Sequence, residues 1–126
     1  MARRDKYHDV VKQGLQAEGW VITHDPYMFR TDPRLAADLG AERLLAAERG
    51  IEKIAVEIKS FLNASQVVDL ESAVGQYSLY KLLLQRQEPE RLLYLAVSDY
   101  AYSDILSREV GQLAITGLKL NLMCIR

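Results

Sequence analysis

The run Ile54-Ala55-Val56-Glu57-Ile58-Lys59-Ser60-Phe61 restricts the folds open to this chain more than any other stretch. Val56 and Ile58 alternate with Glu57 and Lys59, the period-two pattern of a strand whose faces differ. The segment is otherwise apolar enough to be buried, so an acid and a base project side by side from an interior element. Charges are costly to bury unless they pair or hold a metal. Their presence here therefore asks for a reason, and Asp38, upstream in Leu35-Ala36-Ala37-Asp38-Leu39-Gly40, is the first residue to consider with them.

The rest of the chain supplies a sheet and helices around that strand. Tyr7, Val11 and Leu15 recur every four residues and predict a helix from Lys6 to Glu18, stopped at Gly19. Trp20-Val21-Ile22-Thr23 is a short β-type run, followed by a loop from Asp25 to Pro33. Propensity favours a helix over Ala41–Glu48, yet Arg49-Gly50 directly before an apolar strand suggests a hairpin. Two antiparallel strands are the preferred reading, with Glu42–Glu48 extended and paired to Glu52–Phe61 through a turn near Gly50. Val67, Leu70, Val74, Tyr77 and Leu84 mark an amphipathic helix from Gln66 to Gln87, ending before Pro89. Gly75 within it suggests close packing on a neighbouring strand. Arg91–Val97 reads as a buried strand. Tyr102, Leu106, Val110 and Leu113 mark a third helix ending at Gly117, and Leu118–Ile125 a last strand with Leu118, Leu120, Leu122 and Cys124 on one face. The order is that of a mixed α/β or α+β sheet with helices against its faces, in one domain spanning residues 1–126.

Hydrophobic residues make up 49% of the chain, enough for a sizeable core, and the formal net charge is −1. So even a balance argues against strong general affinity for DNA, which draws on a basic surface. Arg3, Arg4, Lys6, Lys81, Arg86 and Arg91 read first as solvated surface charges. Cys124 is the only cysteine, so no intrachain disulfide can form, and with His8 and His24 it cannot supply an ordinary structural zinc quartet. No apolar run approaches a membrane span and no signal-peptide core follows the start, so a cytoplasmic protein is expected.

Asp38, Glu57 and Lys59 suit phosphodiester hydrolysis. A divalent ion held by carboxylates acidifies a water and polarises a phosphoryl oxygen. Mg2+, with Mn2+ as an alternative, prefers oxygen ligands and keeps several waters when one or two carboxylates bind it. Asp38 and Glu57 would be those ligands, joined by the backbone carbonyl of Ile58. Lys59, on the same strand face as Glu57, would orient the attacking water or stabilise transition-state charge. Gln76 and Tyr80, four apart on the following helix, share a face offset from its apolar stripe and add an amide and a phenol. Asp9 is a further candidate ligand from the first helix, with His8 and Glu18 as substitutes for that role. The plain alternative is an ordinary Glu57–Lys59 pair at a strand end, an Asp38 that starts a turn, and an exposed Asp9.

An aspartate followed by Glu-x-Lys on a central strand is the layout of the metal-dependent PD-(D/E)xK nucleases. More specifically, the chain resembles the XisH proteins, described as fdxN-element excision controlling factors of cyanobacteria. The resemblance rests on Arg4-Asp5-x-x-His8, Gly19-Trp20-x-Ile22-Thr23-His24-Asp25-Pro26, Asp38-Leu39-Gly40-Ala41-Glu42, Ala46-Ala47-Glu48 and the run from Glu52 to Phe61. Gly75-Gln76 with Tyr80, and Leu93-Tyr94-Leu95-Ala96-Val97, complete it. It implies a restriction-endonuclease-like fold and a role in site-specific excision of a DNA element, alongside a recombinase and an XisI-like partner. A Mg2+-dependent endodeoxyribonuclease acting as a homo-oligomer is the expectation; a non-catalytic regulator that binds DNA or a protein on the same scaffold is the alternative.

Overall fold

The computed structural model describes residues 6–45 and 50–125. Arg3, Arg4, the Ala46-Ala47-Glu48 motif and the end of the expected Glu42–Glu48 strand lie outside them. The chain opens with helix α1 (His8–Ala17) and strand β1 (Val21–His24), then the short β2 (Tyr27–Met28) and β3 (Ala36–Ala37). Strands β4 (Leu39–Leu45) and β5 (Gly50–Lys59) precede helix α2 (Gln66–Gln87) and strand β6 (Arg91–Ser98). Helix α3 (Asp99–Ser103), a 3-10 turn (Ile105–Ser107), helix α4 (Glu109–Gly117) and strand β7 (Leu122–Ile125) follow.

Five strands form one sheet in the order β1-β4-β5-β6-β7. The β1–β4 and β4–β5 pairs are antiparallel, whereas β5–β6 and β6–β7 are parallel. β4 is extended, as the hairpin reading expects, and pairs with β5 from Leu39↔Val56 to Leu45↔Gly50. Tertiary pairing overrides the helix propensity of Ala41–Leu45. The expected loop from Asp25 to Pro33 contains β2, which pairs with β3 in a separate two-stranded ribbon.

β5 is central, and its alternation divides the core. Ile54, Val56 and Ile58 face Val11 and Leu15 of α1, with Trp20, Leu39 and Ala41. Ala55 faces the other way, into the cluster built on Leu70, Ala73, Tyr77, Tyr80 and Leu84 of α2. Glu57 and Lys59 share the α2-facing side by the same parity. After Lys59 the chain turns at Phe61, a buried aromatic held at φ 57. Left-handed backbone costs a residue with a Cβ about 1–2 kcal/mol, which burial of the ring offsets. The Ser65 hydroxyl then caps α2 by accepting the Val68 N–H at 3.3 Å. The buried Asp69 carboxylate accepts from the Asn63 backbone N–H at 3.2 Å and its Nδ2 at 2.7 Å, fixing the helix entry.

Several expectations need correction. Val67 is exposed, and α2 instead buries Asp69, Leu70, Ala73, Tyr77, Tyr80 and Leu84. Gly75 lies on the outward face with nothing within 4 Å of where a Cβ would stand, so close packing is not its reason. The single third helix is broken in three, because α4 folds back tightly on the 3-10 turn: a Cβ at Gly111 would collide with the backbone of Ile105 and Leu106. The last strand is shorter than expected, with Leu118 and Lys119 in a turn and Lys119 at φ 52.

Arg91 is no surface charge. Only 4% exposed, its guanidinium donates to Glu88 at 2.7 Å, to Glu42 at 3.3 Å and to the Ile54 carbonyl at 2.9 Å. It also lies 4.8 Å from the Tyr27 ring centroid, and the Tyr27 hydroxyl donates to Glu88 at 2.7 Å. The Arg91 hydrogen bond, opposed by burial and aided by Tyr27, holds the Glu88 carboxyl down at about 2. One satisfied cluster thus ties β2, β4, β5, β6 and the end of α2 together.

Two glycines should respond oppositely to a methyl group. Gly111→Ala is expected to destabilise by about 1–3 kcal/mol through overpacking, and Gly75→Ala to stabilise by up to about 1 kcal/mol through helix propensity. Urea unfolding of both variants measures the contrast.

Candidate active site

Continuing the Leu39–Val56 register by one residue sets Asp38 opposite Glu57. Asp38 precedes β4, and its Oδ2 accepts the Ile58 backbone N–H at 2.7 Å. The side chain thereby turns toward the end of β5 that bears Glu57 and Lys59. Glu57 is 7% exposed, its Oε1 has no hydrogen-bond partner, and its carboxyl shares a hydrogen bond with that of Asp38.

Electrostatics follow from that crowding. Burial, then the Asp38 charge and the shared hydrogen bond, push the Glu57 carboxyl up to about 9; Lys59 and a hydrogen bond from the Asp38 backbone pull against them. Near neutral pH, Glu57 is therefore a neutral acid donating to the Asp38 carboxylate. The Lys59 ammonium is near enough to favour Glu57 ionisation but does not outweigh desolvation and the second acid.

Tyr80 reaches the same place from α2. Burial, followed by the charges of Glu57 and Asp38, pushes its hydroxyl above the ordinary phenol value, so it stays protonated and able to donate. It is buried, with its ring 5.0 Å from that of Phe29, not on the polar face expected of it. Phe29 in turn lies 5.6 Å from Tyr27, an aromatic series that links the site to the Arg91 cluster. Gln76, one turn before Tyr80, is half-buried, and its Oε1 is enclosed without a hydrogen-bond partner. Tyr77, between them, anchors the helix: its hydroxyl donates to the Leu93 carbonyl at 3.3 Å and accepts the Asn121 N–H at 3.0 Å.

Asp38, Glu57, Lys59 and Tyr80 are thus brought together, with Gln76 on the Tyr80 face of α2. Asp9 is exposed on α1, which packs on the opposite side of the sheet. Among the described residues, no three His, Cys, Asp or Glu side chains gather as a metal-binding group, so Asp9 does not complete a trio with Asp38 and Glu57. His8 is buried, with Nε2 2.8 Å from Asp25 Oδ1, and the Lys12 ammonium donates to Asp25 Oδ2 at 3.0 Å. Glu18 ends α1 beside Arg43, toward the far end of β4. His24 stacks edge-on to Tyr27 with centroids 4.9 Å apart, and Cys124 is exposed on β7. The sequence reading missed Tyr27, Phe29 and the burial of Arg91; Gln87-Glu88-x-x-Arg91 at a helix-to-strand junction was the available signal.

A paired buried acid, a neighbouring lysine and a helix-borne phenol on a mixed α+β sheet define a class of carboxylate-lysine site. Family comparison places the molecule more closely: residues 1–126 match the model described as XisH protein, and the chain belongs to the XisH family. It is similar to the crystal structure of an XisH family protein from Nostoc punctiforme PCC 73102, with TM-score 0.83, 35% identity, and coverage of 95% of this chain and 90% of that one. It is also similar to the fdxN element excision controlling factor protein from Anabaena variabilis, with TM-score 0.83, 33% identity, and coverage of 96% and 90%. A comparison with curated proteins gave no match.

The raised Glu57 carboxyl gives a pH signature. Its proton is held up to about 9 in the folded chain and lost near the ordinary 4.5 on unfolding. Across that window the folded state binds more protons, so this group's contribution to stability falls as pH rises. Glu57→Gln should flatten that fall and be more stable than the parent at the alkaline end, as thermal unfolding at a series of pH values would show.

Proposed function

We propose that this protein is a divalent-metal-dependent phosphodiesterase acting on DNA, in the excision of a DNA element or its control. The observation that carries the reading is the pair of carboxyls, Asp38 and Glu57, packed together on the central strands with Lys59 on the same face. The unpartnered oxygens of Glu57 and Gln76 suit a hard cation, as does the repulsion between two acids in low dielectric. Asp38, Glu57 and the Ile58 carbonyl would hold Mg2+ or Mn2+. Bound there, the ion supplies neutralisation of phosphate charge and an acidified water.

The chain's own groups do the rest. Glu57 would serve as a ligand only as the carboxylate, its proton passing to solvent. Lys59 orients the attacking water and stabilises charge as it builds on the phosphoryl oxygens. Tyr80, a phenol kept protonated, donates to the water or a phosphate oxygen, and the Gln76 amide fixes the other side. A restriction-endonuclease-like domain is the fold that the family resemblance implies, and a five-stranded mixed sheet flanked by helices supports it. The Anabaena variabilis relative, described as an fdxN element excision controlling factor protein, supports a role in excising a DNA element; a site-specific recombinase and an XisI-like protein are the partners that the family resemblance implies. No helix among the described residues is long and apolar enough to cross a membrane; a cytoplasmic location is part of the proposal, set by its DNA substrate.

A second reading rests on the net charge of −1: a regulator on the same scaffold that binds a protein and cuts nothing.

Lys59→Ala should leave the fold and metal binding intact and cut DNA cleavage by roughly 100-fold or more. Asp38→Ala or Glu57→Ala should remove both cleavage and the Mg2+-dependent rise in melting temperature. Cleavage assays with supercoiled, linear and branched DNA in Mg2+ or Mn2+, paired with thermal unfolding, check this. Parent protein that cuts none of these DNAs and gains no stability from metal would leave the regulator reading.

A further inference from the structure

Helix α2 has a second, unpartnered face with its own period. Leu70, Tyr77 and Leu84, spaced by sevens, are buried against the sheet. Opposite them, Val68, Ser72, Gly75, Leu79, Leu82 and Arg86 are all exposed and separated by alternating steps of four and three. That alternation is the a/d spacing of a helix–helix seam. Val68 is 59% exposed, Leu79 46% and Leu82 64%, although apolar residues in a row on one helix are ordinarily covered. The space over Gly75 is open.

We propose that this seam joins two copies of the chain, packed α2 against α2 in antiparallel fashion across a two-fold axis level with Tyr77. In that register Leu79 of one copy lies over Gly75 of the other, and Leu82 over Ser72, so both leucines meet a small residue, while Val68 lies by Arg86. The flanking charges choose the direction. Glu71 lies toward the start of the exposed strip and Arg86 at its end. Antiparallel packing sets Glu71 of one copy level with Leu83 of the second, less than one helical turn from Arg86 and within reach of its long side chain. Parallel packing would set glutamate by glutamate and arginine by arginine. The antiparallel pair also opposes the helix dipoles, and a two-fold contact requires a patch complementary to itself, which this one is.

Size sets the strength. The seam runs from Val68 to Arg86 within the 22-residue helix, about 28 Å, and buries less than the ~800 Å² per partner of a standard interface, so dimerisation in the micromolar range is expected. The inference is independent of catalysis, because none of the seam residues belongs to the site.

Sedimentation velocity of the full chain, from low micromolar to several hundred micromolar, tests it. The parent should pass from monomer to dimer. Leu82→Glu should weaken association about tenfold or more, as loss of a central contact does. Glu71→Lys should weaken it as well, and the double variant Glu71→Lys/Arg86→Glu should restore it. These side chains are exposed, so melting temperatures measured at monomeric concentration show that each variant is folded. A parent that stays monomeric throughout, or a dimer indifferent to Leu82→Glu, overturns the proposal. A dimer unchanged by Glu71→Lys overturns the antiparallel arrangement.

Discussion

The short hydrogen bond from the Ile58 N–H to Asp38 is the joint on which the site depends. A carboxylate at the entrance to β4 takes a backbone donor from the exit of β5, in the position where the strand ladder gives out. That bond fixes the half-buried aspartate beside the buried Glu57 and leaves two acids side by side. Burial first, and then the Asp38 charge, outweigh the Lys59 ammonium, so the Glu57 carboxyl keeps its proton to about 9. Under the proposed function, that proton is the one a metal ion would displace.

Contrast with Arg91 shows what the acid pair is not. Arg91 is as buried as Glu57, yet its charge is answered by Glu88, Glu42 and backbone carbonyls. It ties elements together, and removing one member would strand a buried charge, typically at a cost of about 3–5 kcal/mol. The Glu57 environment leaves an oxygen without a partner and sets two acids face to face. The Arg91 network satisfies its members; the acid pair does not, and under the proposed function a cation would. The two clusters communicate through the Tyr27, Phe29 and Tyr80 rings, so the shape of the site rests on the packing of the Arg91 region.

Much of this was readable from pattern. The alternation in Ile54–Lys59 set the buried strand and placed Glu57 and Lys59 on one face, and the hairpin of β4 and β5 formed against local helix propensity because sheet pairing outweighs it. Asp38 was legible from its place upstream of the Glu-x-Lys strand, and Tyr80 from its four-residue spacing to Gln76 on the following helix. What pattern did not carry were features created by tertiary packing. Tyr80 has a polar tip and reads as surface, but its ring fills core space against Phe29. Arg91 reads as a solvated charge because its partners come from distant strands. The break between α3 and α4 depends on a backbone approach at Gly111 that apolar periodicity cannot register.

Proton release on metal binding tests the account most directly. Titration calorimetry with Mg2+ and Mn2+ near neutral pH, repeated in buffers of different ionisation enthalpy, counts the protons displaced per ion bound. The account predicts one site and about one proton released, since Glu57 is protonated before the ion arrives, and the release should vanish in Glu57→Gln. Binding with no proton release, or the same release in Glu57→Gln, would contradict it.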